Sequence, residues 1–212
     1  MDEASKTLSH YSEILNKYLT GRILDIGAGQ DPITNTCEIF DLAQGNAQFI
    51  SDFFPPSSFD TVFSSHCLEH MIDPLTAVKS WFSLVKPGGH LIIIVPDEDL
   101  YEQGHFPSQF NSDHKATFTI SKSRSWSEVS INCLDICNTL GGTIVYLQQQ
   151  SDNYNFNLNT FGYLGISKYR LLRRLLQNSR VKSLARSLKL IPIDQTSLGN
   201  DVLAQIVFIL KK

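Results

Sequence analysis

The chain has 212 residues, 42% of them hydrophobic and 18% charged, which suits one globular domain with a sizeable core and excludes a disordered or fibrous class. No apolar run approaches the roughly eighteen residues of a membrane-spanning helix, and the polar, acidic start MDEASKTLSHYSE argues against a secretory signal, so a cytoplasmic protein is expected. The net charge of −3 is unevenly spread: residues 1–152 carry 8 basic and 19 acidic side chains, whereas 153–193 carry 8 basic and no acidic ones. That split predicts an acidic body with a basic segment set into it.

In chain order, Leu8, Tyr11, Ile14, Leu15, Tyr18 and Leu19 fall at helical spacing, so an amphipathic helix covers 4–19 within an N-terminal helical segment, 1–20. Residues 22–26 form a first strand, which empties into Gly27-Ala28-Gly29. Cys37–Phe40 reads as a second strand ending at Asp41, Gln48–Ile50 as a third and 59–64 as a fourth. Asp73 caps a helix with Pro74 at its first position, running to Val85. Lys86-Pro87-Gly88-Gly89 stops it, and His90–Val95 is an apolar run typical of a strand buried on both faces. Ser125–Glu128 reads as a capping box opening a helix that Gly141 closes, followed by strands at Thr143–Leu147 and Val202–Leu210. Strands alternating with helices predict an α/β fold of the Rossmann-like, doubly wound kind, with a mostly parallel seven-stranded sheet. Fourteen residues separate Ile26 from Asp41 and ten separate Asp41 from Asp52. A crossover with its helix needs at least about 10–12 residues beyond its strands, so the first two crossovers must be shortened.

The glycine turn is the most informative feature. A strand ending in glycines lets backbone pass close to a ligand, at the sheet edge where α/β proteins bind theirs. The dinucleotide fingerprint needs a third glycine where Pro32 stands, and Asp25 and Asp31 would repel a pyrophosphate. No Lys or Arg lies between Arg22 and Lys79. An acidic turn suits a cofactor with cationic groups and no phosphate, the charge pattern of S-adenosylmethionine. Cys37, Cys67, Cys133 and Cys137 match no zinc spacing and read as free thiols in a reducing compartment, with no metal expected.

The order ILDIGAG, FDL, ISDFF, SFDTVFSSHCLEHMIDP and LVKPGGHLIIIVPDED resembles class I S-adenosylmethionine-dependent methyltransferases, most closely the small bacterial methyltransferase-domain proteins, over about residues 20–120. The resemblance implies a methyltransferase using that cofactor. Asp25, Gly27, Ala28 and Gly29 match the motif that holds its methionine part. Asp41, followed by Leu42, matches the acid that binds the ribose hydroxyls, and Asp52 with Phe53 the pair at the adenine, with Asn46 as a rival. Ser65, His66 and Cys67 match the segment beside the transferred methyl. Glu69-His70 matches a paired motif whose role is often structural.

Residues 96–124 form a long polar segment rich in Tyr, Phe and His at the ligand edge, read as a substrate loop. A hydroxyl acceptor must lose a proton, which names His114, His105 and His66 as candidate catalytic bases. Glu98, Tyr101 and Asn111 are candidate acceptor contacts. Within a helical insertion over 153–193, the basic stretch 168–189 has Leu171, Leu172, Leu175 and Leu176 on one face, suiting an anionic membrane surface, nucleic-acid phosphates or a stripe packed on the body. The expected acceptor is a small molecule or a glycan- or lipid-linked precursor methylated on oxygen. The acidic body argues against nucleic acid. The rivals are RNA or protein methylation, a non-catalytic module that keeps the fold, and a nicotinamide oxidoreductase.

Overall fold

The computed structural model describes residues 3–159, 192–199 and 201–212. The basic stretch 168–189 and most of the expected 153–193 insertion lie outside the described residues.

The first helix, α1 (Glu3–Tyr18), precedes β1 (Ile23–Ile26), β2 (Glu38–Phe40) and β3 (Phe59–Ser65). Then come α2 (Pro74–Leu84), β4 (Val85–Pro96), β5 (Thr117–Thr119), β6 (Ser130–Asn132), α3 (Cys133–Leu140), β7 (Thr143–Gln150) and β8 (Gln205–Lys211). The central sheet runs β2-β1-β3-β4-β8-β7. Its first four strands are parallel, and β8 is antiparallel to both of its neighbours. The mostly parallel α/β architecture is as the sequence predicts, but the sheet has six strands rather than seven. β5 and β6 form a separate two-stranded ribbon.

The missing strand is Gln48–Ile50, which winds into a 3-10 helix, Ala47–Asp52. Three contacts hold it there. The Asn46 side chain accepts the Gln48 N–H at 2.9 Å. The Gln48 side chain pairs with the Asp73 backbone in both directions at 3.0 Å. The indole of fully buried Trp81 on α2 donates to the Ala47 carbonyl at 2.9 Å. With ten residues between Asp41 and Asp52, the chain has no length for a crossover and a further edge strand.

The apolar run in β4 divides its side chains by alternation. Leu91, Ile93 and Val95 join α2 and α3 in one core, together with Ile206, Phe208 and Leu210 of β8. Ile92 and Ile94 face the other way with Val207 and Ile209, against Ala4 and Leu15 of α1. The sheet is therefore covered on both faces, which leaves the ends of its strands as the place for a site.

The expected helix from Ser125 begins only at Cys133. Ser125 donates its hydroxyl to Glu98 at 2.8 Å and accepts the Ser127 N–H at 2.9 Å, and no helix starts there. Glu98 has no solvent exposure and also accepts from Thr117 Oγ1 at 3.1 Å, Lys122 Nζ at 2.8 Å and Ser130 Oγ at 2.5 Å. This one carboxylate gathers the 96–124 segment into an ordered cap over the sheet edge.

Candidate functional site

β1 lies between β2 and β3, with Ile26 in register with Phe40 on one side and Ser64 on the other. The carboxyl ends of all three strands thus open at one place. Gly27 sits at φ +79°, and a Cβ there would stand 2.6 Å from Cys67 Cβ, so both the backbone and the packing require glycine. Gly29, at φ +57°, would place a Cβ within 4 Å of nothing, so open space lies before it. Asp41 clips the turn: one carboxylate oxygen accepts the Gly29 N–H at 2.8 Å, the other the Leu42 N–H at 2.6 Å. Each oxygen keeps a further lone pair for a hydroxyl donor.

Two cavities flank this turn. The first, about 390 Å³, is walled by Gly27, Ala28, Gly29, Asp25, Ser65, His66 and His114, and by Tyr101 and Asn111 from the cap. The second, about 660 Å³, is walled by Asp41, Leu42, Asn46, Gln48 and Cys67, with Asp113 and Lys115 at its rim. They meet at Gly27, His66 and His70. Four predicted residues fall outside both walls. Asp52 is exposed at the end of the 3-10 helix, and Phe53 lies behind Gly45 with its ring 5.0 Å from Phe40. The absent strand moved them, and Asn46 and Gln48 line the second cavity. His105 follows the left-handed pair Gln103-Gly104 and is buried away from the cavities. Glu98 serves the cap and contacts neither cavity.

The electrostatics separate the remaining groups. Burial pushes Asp25 up to about 7, against the pull of the Ile33 N–H and with help from Asp31 and Asp41. Burial alone would lower the His66 imidazole, but Glu69, Glu3 and Gln205 outweigh it and lift it to about 9. His66 therefore holds a proton more tightly than a free imidazole, which weakens it as a base. Burial pushes the Cys67 thiol up to about 12, so it is inert as a nucleophile. Burial would raise Glu69, yet His66, His114 and His70 together hold it below the ordinary carboxylate range. His114 Nδ1 lies 2.7 Å from Glu102 Oε1, to which it donates, and its Nε2 lies 4.0 Å from Glu69.

Sequence reasoning missed several walls. Glu3 and Ala4 of α1 and Thr196, Val202, Ala204 and Gln205 near β8 reach the first cavity. Nothing local marks them, because they arrive from the chain ends. Ser65 Oγ is buried on the cavity wall without a hydrogen-bond partner, as are both oxygens of Glu69. The i, i+3, i+4 spacing of His66, Glu69 and His70 is the local signal by which three polar side chains share one turn.

A family model described as a methyltransferase domain matches residues 4–158. No curated protein matches the sequence significantly. Among solved structures, the chain is similar to an S-adenosylmethionine-dependent methyltransferase from Archaeoglobus fulgidus, with a TM-score of 0.53 at 14% identity over 99% of this chain and 94% of that one. It is similar to a protein from Bacillus halodurans C-125 described as a methyltransferase, with a TM-score of 0.52 at 14% identity over 96% of this chain and 97% of that one. It is also similar to the [4+2]-cyclase SpnF, with a TM-score of 0.51 at 12% identity over 95% of this chain and 79% of that one. At such identities the likeness concerns the fold. Among the described residues, no helix is long and apolar enough to cross a membrane.

Proposed function

Since the chain belongs to the methyltransferase-domain family, we propose that this S-adenosylmethionine-dependent enzyme methylates an oxygen of a small-molecule, glycan-linked or lipid-linked acceptor held in the first cavity. The observation that carries the proposal is the junction of two cavities at a bare glycine turn with carboxylates on either side. S-adenosylmethionine, when bound, supplies a methyl group on a cationic sulfur, and the carbon–sulfur bond breaks as an acceptor lone pair bonds to that carbon. The residues present suit such a guest. Asp25 offers a negative charge to its amino group, the backbone of Gly27–Gly29 allows close approach, and Asp41 has lone pairs left for ribose hydroxyls. Asn46 and Gln48 offer side-chain amides to an adenine edge.

On the acceptor side, Ser65, whose hydroxyl has no hydrogen-bond partner, and His114 give the first cavity polar walls that suit a hydroxyl. Tyr101 and Asn111 would position that acceptor from the cap. Of the three candidate bases we favour His114, which walls the first cavity from the cap with its Nδ1 held by Glu102. Calorimetry with S-adenosylhomocysteine tests the cofactor half. One site per chain is expected, and absence of heat at high protein concentration would overturn it. Incubation with labelled S-adenosylmethionine and panels of hydroxyl- and amine-bearing acceptors tests the other half, since label appearing only on nitrogen would refute the oxygen assignment.

A further inference from the structure

Glu69 and His70 lie on the short 3-10 turn Leu68–His70 after β3, and His114 comes from the cap. The N–H groups of Lys115 and Ala116 donate to the Glu69 carbonyl at 2.7 and 3.3 Å, which fixes the cap beside that turn. One ligand atom from each of Glu69, His70 and His114 lies within 4.8 Å of the others.

Three observations point to a cation there. First, Glu69 is 1% exposed and neither of its oxygens accepts a hydrogen bond. Its close partners are ion-pair neighbours only, His66 Nδ1 at 3.4 Å and His114 Nε2 at 4.0 Å. A buried carboxylate left so under-satisfied is uncommon. Second, each histidine of the trio is gripped through Nδ1 by a further carboxylate: His114 by Glu102 at 2.7 Å, His70 by Asp113 at 3.1 Å. Facing a carboxylate, Nδ1 donates, which leaves Nε2 as the ring atom available to a ligand. Proteins orient imidazole ligands to metals in this way. Third, all three side chains wall the first cavity, so a cation among them would keep an open side.

We propose that Glu69, His70 and His114 form a site for a divalent transition cation of the zinc class, open on one side to the acceptor cavity. Two imidazoles and one carboxylate select zinc, cobalt or manganese over magnesium or calcium, which prefer all-oxygen ligands. Coordination at about 2.0–2.2 Å draws the three ligand atoms in by about 1 Å from their present spacing. Glu69 keeps a second oxygen for His66. An acceptor hydroxyl on the open side acidifies and releases its proton to solvent. Its oxygen lone pair then forms the bond to the methyl carbon, and the electrons of the carbon–sulfur bond go to sulfur. His114 in this scheme holds the cation rather than taking the proton. The role in catalysis rests on the methyl-transfer reading, whereas cation binding does not.

The test is cobalt(II) titration of chelator-treated full-length protein, followed by visible absorption and calorimetry, with zinc as competitor. S-adenosylhomocysteine binding is measured on the same preparations. Expected are one equivalent of cobalt, absorption bands that zinc abolishes, and affinity at least about tenfold weaker in His114→Ala and His70→Ala. Glu102→Gln keeps all three ligands but loosens the grip on His114, and should weaken cobalt by about tenfold. Absence of bound cobalt overturns the proposal. So does undiminished binding in both histidine variants, which would place the ion on the thiols or on His10. If the alanine variants misfold, unchanged affinity in Glu102→Gln overturns it instead. Cobalt binding without any S-adenosylhomocysteine binding would uphold the metal site and remove the methyl-transfer reading.

Discussion

Asp25 offers the sharpest test of what the glycine turn holds. Its carboxyl is 1% exposed and lies beneath the turn. Burial pushes it from 3.8 to about 7, opposed chiefly by the Ile33 N–H at 2.7 Å. A rise of about three units means that holding Asp25 ionised in the folded protein costs about 4 kcal/mol relative to the unfolded chain. The folded state binds this proton more tightly than the unfolded state, so Asp25 lowers stability progressively as pH climbs from about 4 to about 7, with no further loss above that. A cationic amino group in the first cavity reverses the balance, because it favours the ionised carboxylate. Ligand binding below about pH 7 must therefore release a proton, and affinity should rise by up to tenfold per pH unit between about 5 and 7, then level. Calorimetry of S-adenosylhomocysteine from about pH 5.5 to about 8.5, in buffers of differing ionisation enthalpy, reads both the affinity and the proton count. Asp25→Asn should bind more weakly, lose the slope and melt higher at alkaline pH than the wild type. A flat wild-type profile, or the same slope in Asp25→Asn, would refute the assignment of a cation to this carboxylate.

Asp41→Ala removes the acceptor of two backbone N–H groups on the wall of the second cavity, and should weaken S-adenosylhomocysteine by about 1–3 kcal/mol in the same assay. Unchanged affinity would detach Asp41 from the ribose. Gly27→Ala combines a left-handed backbone with a Cβ 2.6 Å from Cys67 Cβ. A stability loss of about 2–5 kcal/mol is expected in urea unfolding, with part recovered by adding Cys67→Ala. Glu98→Ala strips four donors of a buried partner, so limited proteolysis should cut within 96–124 far faster than in the wild type. An unchanged cleavage rate would show that the cap is held by other contacts.

Where local signals and tertiary needs agreed, the sequence was easy to read. Asp73 and Pro74 open α2 as their chemistry suggests, with the Asp73 side chain accepting the Thr76 N–H at 3.1 Å. The Leu91–Val95 run is buried on both faces because α1 packs on one side of the sheet and α2 with α3 on the other. Where a distant partner competed, local reading failed. Gln48–Ile50 has strand-like composition, but Trp81, more than thirty residues on, captures the Ala47 carbonyl and turns the segment into a helix. Ser125 has capping chemistry and accepts the Ser127 N–H, but Glu98 draws it into the cap and the helix starts eight residues later. No window of neighbouring residues contains either competitor.

The site shows the same division, with a consequence for how it is built. The glycine turn, Asp25, Asp41, Ser65 and His66 all sit at strand ends, and strand ends are what apolar patterning locates best. They are the residues that the structure brings together around the junction of the cavities. Asp52 and Phe53 were placed by assuming a strand that the short connection could not supply. Removing that strand does not leave the second cavity open. The chain instead folds Asn46–Gln48 inward as a capped 3-10 turn, so the wall is rebuilt from residues four to six positions earlier. The shortened crossover thus replaces a charged wall residue with neutral amides. Asp41 then carries the negative charge nearest the turn on that side, while Asp25 and Glu69 carry it in the first cavity.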